Sequence, residues 1–361
     1  MSTMPLTISG LGLVTSVGHS VEGACAAIRA NITRPRPVDG MLVWDADAQE
    51  EVPLTGHPIV GLTDGFQGIG RWFRLGRLAL LDMLRYAGLV ETEDSFWRTC
   101  GFILCTPAIS PARFAFPIDE VHALASRLPD AFGLPVAASN IVCLPTGHGG
   151  PLQALHLARQ KVSFGAWHRA VVLAVDSLLD ETSLRWLHGT RRLKTPEYAV
   201  GLIPGEAAAC ILVEGPRRLS QKPEATLQSV ALSEPASTEL PATHQGLALA
   251  TAVREAIAGT QGRPVGDILG NLNGEELRAM AWGTARVRIP RETLAETMRE
   301  TWTATSLGDV GAASAAVSLC VAVRSFVRGY SRNGAALVWS LSDDGAASAC
   351  LVRKLVEEAA K

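Results

Sequence analysis

The chain has 361 residues, 47% of them hydrophobic and 19% charged, and its 33 Lys plus Arg nearly cancel its 35 Asp plus Glu. That balance describes a well-buried globular protein; it excludes a disordered chain and gives no basic field for nucleic acid or an anionic membrane. No apolar run reaches the ~18 residues of a membrane span, and the nearest, 310–323, has the length of a buried core helix.

In chain order, residues 7–15 read as a strand ending in a glycine turn, and 21–29 as a helix. Leu75, Leu78, Ala79, Leu81 and Leu84 give 71–87 the apolar stripe of an amphipathic helix. A strand follows at 100–105, a helix at 119–128 and a strand at 139–143. A glycine-rich turn then opens a helix with Pro151 in its first turn. The continuous apolar runs 170–175 and 208–213 suit strands buried on both faces. Residues 215–224, with two prolines and several charges, read as the junction between halves spanning 1–218 and 225–361.

Beyond that junction the order restarts. Strands are expected near 227–232 and 267–272, helices at 247–257 and 311–328, and two final strands at 335–341 and 347–352. Alternating strands and helices imply parallel sheets with helices on their faces. The first residues lack a basic segment followed by an apolar stretch, so no secretory signal is expected. The seven cysteines (25, 100, 105, 143, 210, 320 and 350) are odd in number and lack Cys-x-x-Cys spacing. They read as buried reduced thiols of a cytoplasmic protein, with no metal and no cofactor expected.

The chemically pointed segment is Thr146-Gly147-His148-Gly149-Gly150-Pro151. It sets the His148 side chain at a helix N-terminus, where partial positive charge stabilises a thiolate or an oxyanion. The helix continues through Ala154-Leu155-His156-Leu157-Ala158. That run resembles the helix after the active-site cysteine of β-ketoacyl synthases, and the spacing puts the family's cysteine at His148. Residues 9–18 resemble the first strand and turn of that family, and Pro204-Gly205-Glu206-Ala207 its Gly-Glu-Gly-Ala stretch. Gly308-Asp309-Val310-Gly311-Ala312-Ala313 resembles its second glycine-alanine segment.

The resemblance implies an α/β thiolase fold, with duplicated βαβαβαββ halves in a five-layered α-β-α-β-α sandwich. It also implies that a first catalytic histidine is replaced by Asn273, a second by Gly308, and a gating phenylalanine by Asp344. All the catalytic positions have then changed.

Two function classes follow. One is a catalytically degenerate binding or assembly subunit, either a homodimer or a heterodimer with a related thiolase-fold protein, as chain-length-factor subunits pair with active ketosynthases. The other is a 3-oxoacyl synthase-like acyltransferase or thioester-handling enzyme, in which His148 is acylated beside an Asn273 hydrogen-bond donor, or Cys143 is a displaced nucleophile. Cys143 sits five residues early, on strand backbone and away from the helix dipole.

Glu206 reads as a structural carboxylate accepting backbone hydrogen bonds, and Glu275, Glu276 and Arg278 as an exposed charge cluster or else the remnant of a polar pocket. Asp343 and Asp344 put negative charge where an acyl chain passes in the family. Residues 271–283, Asn-Gly-Glu…Arg…Trp-Gly, resemble a divergent thiolase-like branch encoded beside type VI secretion spike and effector genes. That likeness implies a secreted effector or spike-associated protein as partner.

Overall fold

The computed structural model describes residues 4–90, 93–114, 116–216, 222–234, 242–258 and 263–355. The first half opens with β1 (Leu6–Thr15), α1 (Val21–Arg29), a hairpin of β2 (Arg36–Asp45) and β3 (Glu50–Gly56), and α2 (Gly68–Tyr86). It continues through α3 (Asp94–Arg98), β4 (Cys100–Cys105), α4 (Ile118–Asp130), β5 (Ile141–Leu144) and α5 (Gly150–Ser163). It ends with β6 (Arg169–Ser177), α6 (Glu181–Gly189) and β7 (Glu206–Glu214).

The second half holds β8 (Ala225–Leu232), α7 (Ala242–Ile257), β9 (Val265–Gly270), α8 (Glu276–Arg286) and β10 (Leu294–Trp302). It closes with α9 (Ala304–Leu307), α10 (Ser314–Val327), β11 (Ala335–Leu341) and β12 (Ala347–Lys354).

The strands lie in the order β5-β4-β6-β7-β1-β8-β12-β11-β9-β10. In the first half β4 runs parallel to β5 and β6, and β7 antiparallel to β6 and β1. In the second, β9 runs parallel to β10 and β11, and β12 antiparallel to β11 and β8. The second half repeats the first strand for strand. The two sheets meet through three residue pairs, Leu6↔Leu227, Thr7↔Thr226 and Ile8↔Ala225.

Five layers result, as expected from the sequence. Helix α2 covers the first sheet from outside, with α4 against it, while α7 covers the second, with α8 against it. Helices α5 and α10 lie between the sheets and touch strands of both. This explains why α10 is apolar on nearly every side, with Ser314 to Val323 all buried. Its many alanines and serines let two sheets approach one helix closely. Strands β1, β4, β6 and β7 are buried along their whole length, as befits strands covered on both faces.

Local signals fix the helix starts. Ser20 accepts from the Gly23 amide at 3.3 Å to cap α1, and Asp180 accepts from the Ser183 amide at 3.0 Å to cap α6. The hairpin, α6, α8 and β10 carry no strong periodicity and were not expected. Strand β10 is an edge strand whose Glu296, Arg299 and Glu300 mask its strand character while discouraging edge-to-edge pairing. The helix expected from 311 starts as a 3-10 turn at Gly311–Ala313. The half boundary expected at 218 lies outside the described residues. Among the described residues, no helix is long and apolar enough to cross a membrane.

Gly12 sets the distance between β1 and α2. A Cβ there would lie 2.1 Å from the Ala79 carbonyl oxygen and 2.5 Å from the Met83 amide nitrogen. Gly12→Ala is expected to cost about 1–3 kcal/mol, as overpacking does, and to lower the urea midpoint without changing the slope. An unchanged midpoint would refute the close β1–α2 contact.

Candidate functional site

The site lies where the two halves meet, at the N-terminal ends of both central helices. His148 sits in the 3-10 turn Gly147–Gly149 that leads into α5 and is only 7% exposed. Its carbonyl accepts a 2.8 Å hydrogen bond from the Ser340 hydroxyl at the end of β11. The two amides that follow are occupied: Gly149 donates to the Ser342 hydroxyl at 2.9 Å, and Gly150 to the Gly147 carbonyl. The positive end of α5 is therefore satisfied internally at these two positions, where an oxyanion would otherwise be held.

Both imidazole nitrogens of His148 have partners. Nε2 lies 3.3 Å from Asp309 Oδ1, and Nδ1 lies 3.5 Å from Arg278 Nη2. A guanidinium only donates, so in the neutral ring Nδ1 is the acceptor and Nε2 carries the proton shared with Asp309, whereas an imidazolium donates from both nitrogens, to Asp309 and toward Asp343 at 4.0 Å. An attacking imidazole needs a free lone pair, and the one on Nδ1 faces Arg278.

A ring of charge closes around the histidine. Asp309 Oδ1 also accepts from the Gly311 amide at 2.8 Å, and its Oδ2 from the Asn273 amide at 2.7 Å. The same Asn273 nitrogen reaches Glu275 Oε2 at 2.7 Å. Glu275 is gripped by Arg192 at 2.6 and 3.0 Å and by Arg278 at 3.2 Å. Asp343, partly exposed at the mouth, pairs with Arg278 at 2.6 Å and with Arg192 at 3.0 Å through both nitrogens. Arg278 also donates to the Leu341 carbonyl, to which the Asn271 side chain donates at 2.8 Å.

The acids answer to these neighbours. Burial pushes the Asp309 carboxyl up, but His148, Arg278 and Asn273 outweigh it and hold the group well below the usual carboxylate range. Asp343 is lowered in the same way, burial being overcome by His148, Arg278 and Arg192. For Glu275, Arg192 leads the groups that outweigh burial.

Beneath this ring, Asp176 on β6 accepts from Arg113 at 2.9 Å and from the Ala312 amide at 2.9 Å. Burial is the largest influence on Asp176 and raises its pKa. Glu206, read from the sequence as structural, accepts from the Ile59 amide at 2.8 Å, from the Thr63 and Ser177 hydroxyls and from Arg71 at 2.6 Å.

The structure brings together His148 and Asn273, but not the other candidates. Gly308 has φ +68°, and a Cβ there would lie 2.5 Å from the Ile203 carbonyl oxygen and 2.9 Å from the His57 ring. No side chain fits at that position; its neighbour Asp309 reaches His148 instead. Asp344 is exposed, and its Oδ1 accepts from the Ala346 amide at 3.0 Å within the turn. Its neighbour Asp343 faces the site.

Cys143 belongs to the other face of β5, packed with the α4 side of the first sheet. Its thiol contacts the Val121 carbonyl at 3.7 Å, and burial pushes its pKa up to about 11. It is not an activated nucleophile. The expected exposed cluster at 275–278 is corrected in part: Arg278 is 2% exposed and Glu275 is half-buried, while Glu276 is exposed as expected. Arg192 and Asp309 were not foreseen as site residues.

No family model matches the sequence, and no curated protein matches it. Solved structures do. A ketosynthase/chain length factor from ishigamide biosynthesis aligns over 98% of this chain and 100% of its own, with TM-score 0.73 and 18% identity. A type II polyketide ketosynthase, solved in complex with its acyl-carrier protein, aligns over 98% and 100% with TM-score 0.76 and 15% identity. An oxazolomycin ketosynthase domain from Streptomyces albus gives TM-score 0.74 at 13% identity, over 98% of this chain and 76% of that one. At these identities the likeness establishes architecture: the chain has the thiolase-like fold of ketosynthases.

The lowered carboxyls give a signed pH dependence. A carboxyl whose folded pKa is depressed contributes stability above its unfolded value, about 3.9 for Asp, and loses that contribution as pH falls through the folded value. Asp309→Asn is therefore expected to cost about 3 kcal/mol at pH 7, within the range for breaking a buried pair. Its deficit against the wild type should shrink as pH falls below about 4. Urea melts at pH 7 and pH 3 measure both; a deficit unchanged with pH would mean that Asp309 is not held ionised by the ring.

Proposed function

We propose that this chain is a non-condensing subunit of ketosynthase fold that works by binding and assembly. The observation that carries this reading is that both nitrogens of the histidine at the nucleophile position, a residue 7% exposed, are engaged by Asp309 and Arg278. Condensation needs an acyl carrier and two groups that stabilise an enolate. Here the corresponding space is taken by carboxylates and guanidiniums that satisfy one another. The solved ketosynthase/chain length factor is a relative in fold whose name joins two such subunits. That pairing supports a second thiolase-fold chain, identical or related, as the partner.

The edge strand β5 is the surface proposed for it. β5 pairs with β4 on one side, and its other side forms the end of the sheet. Ile141, Val142, Cys143 and Leu144 are all half-buried there, an apolar edge suited to strand addition. A secreted effector is the client that the resemblance of 271–283 would supply. The assembly role does not depend on it.

Incubation of the protein with malonyl- and longer acyl-thioesters, followed by intact mass measurement, tests the chemistry. No adduct is expected; a stoichiometric acyl mass that disappears in His148→Ala would overturn the reading in favour of a transferase. Native mass spectrometry of the protein recovered gently from its host tests the assembly. Val142→Asp should weaken the dimer or heterodimer at least about tenfold, because a buried unpaired carboxylate costs more than 1.4 kcal/mol. An unaffected dimer would exclude β5 as the interface.

A further inference from the structure

Five arginines are buried among the described residues: Arg71, Arg113, Arg159, Arg169 and Arg278. Four have carboxylate partners, Glu206, Asp176, Glu214 and Asp343 respectively. Arg159, 6% exposed on α5, is the exception. Its Nη2 donates to the Val230 carbonyl at 3.3 Å, and its buried Nη1 has no hydrogen-bond partner. A buried guanidinium with neither carboxylate nor full hydrogen bonding is costly, which is why the other four are paired.

A histidine stands beside it. His156 lies one helical turn before Arg159, on the same face of α5. Its Nε2 is 3.0 Å from the Gln160 side-chain nitrogen, a donor, so Nε2 accepts and Nδ1 carries the proton. Nδ1 is buried and turned toward the Val230 carbonyl, which Arg159 also engages. Burial, and then Arg159, lower the pKa of His156, which favours this neutral donor form. Both side chains line one cavity of about 460 Å³, together with Ser229, Val230, Leu232 and Glu255.

We propose that this recess between α5, β8 and the end of α7 binds a single carboxylate from outside the chain. The Arg159 guanidinium, whose Nη1 is unmet, is its donor, and His156 forms the neighbouring wall. Glu255 on the same wall repels a second negative charge, so a monocarboxylate is preferred over a phosphate dianion. The carboxylate comes either from a free small acid or from an acidic side chain of an assembled subunit. The site is remote from the His148 ring in its chemistry and stands whether or not His148 can be acylated.

The test uses the full chain. Acetate or propionate, at fixed ionic strength, should raise the wild-type melting temperature saturably by a few degrees, with phosphate weaker. Arg159→Leu should abolish that response without lowering the melting temperature of the ligand-free protein. Arg169→Leu, which removes the cation beside the buried Glu214, should lower it. If free acids have no effect, Arg159→Leu should instead raise the dissociation constant of the assembled dimer or heterodimer at least tenfold, and the carboxylate is then a subunit's. Failure of both arms overturns the proposal. So does a ligand-free melting temperature lowered alike by Arg159→Leu and Glu255→Gln, since Glu255 would then supply the carboxylate itself.

Discussion

Two arginines hold the centre of this molecule. Arg192 enters from the first half and Arg278 from the second, and between them they bind Glu275 and Asp343 through paired nitrogen–oxygen contacts of 2.6 to 3.2 Å. Arg278 is almost fully buried, so its charge must be met by carboxylates whose geometry is fixed. That requirement sets Asn273 and Asp309, which share an amide, and through Asp309 it sets His148. The N-terminus of α5 is thereby enclosed in an electrostatic joint. A joint of this kind gives registry between halves more surely than net stability, because desolvation offsets much of the Coulomb gain.

The architecture explains why the joint lies where it does. Two sheets of identical strand order share α5 and α10, and both helices begin at the same end of the sandwich. Helix N-termini with glycine-rich approaches bring donors and small side chains together there. The amides of Gly149, Gly311 and Ala312 all donate to internal oxygens, of Ser342, Asp309 and Asp176, so the donors gathered at this end are met by the protein itself.

The same accounting of charge points outward at Arg159. Every other buried arginine among the described residues is neutralised from within, so the recess beside α5 marks where the chain leaves a charge for something else to meet. The sealed site and the open recess are two answers to one physical problem, the cost of a guanidinium away from water. One is solved by intramolecular carboxylates. The other is solved by binding.

The sequence by itself determined the layers. Apolar runs at 170–175 and 208–213, the all-round apolar helix after Gly311 and the restart of the pattern beyond 224 specify buried strands and a shared central helix, because burial follows composition and period. It also determined that residue 148 is a histidine at a helix N-terminus, since the glycine turn and Pro151 are local signals. Only the tertiary structure decided which side chains meet that histidine. Asp309 and Asp343, not Gly308 and Asp344, face it, and Arg192 arrives from a loop 83 positions before Glu275. Pairing of charges across such separations has no period and no local propensity to read; it exists only once two halves have folded against each other. For the same reason Glu275 and Arg278 look like surface charges in the sequence and are enclosed in the fold.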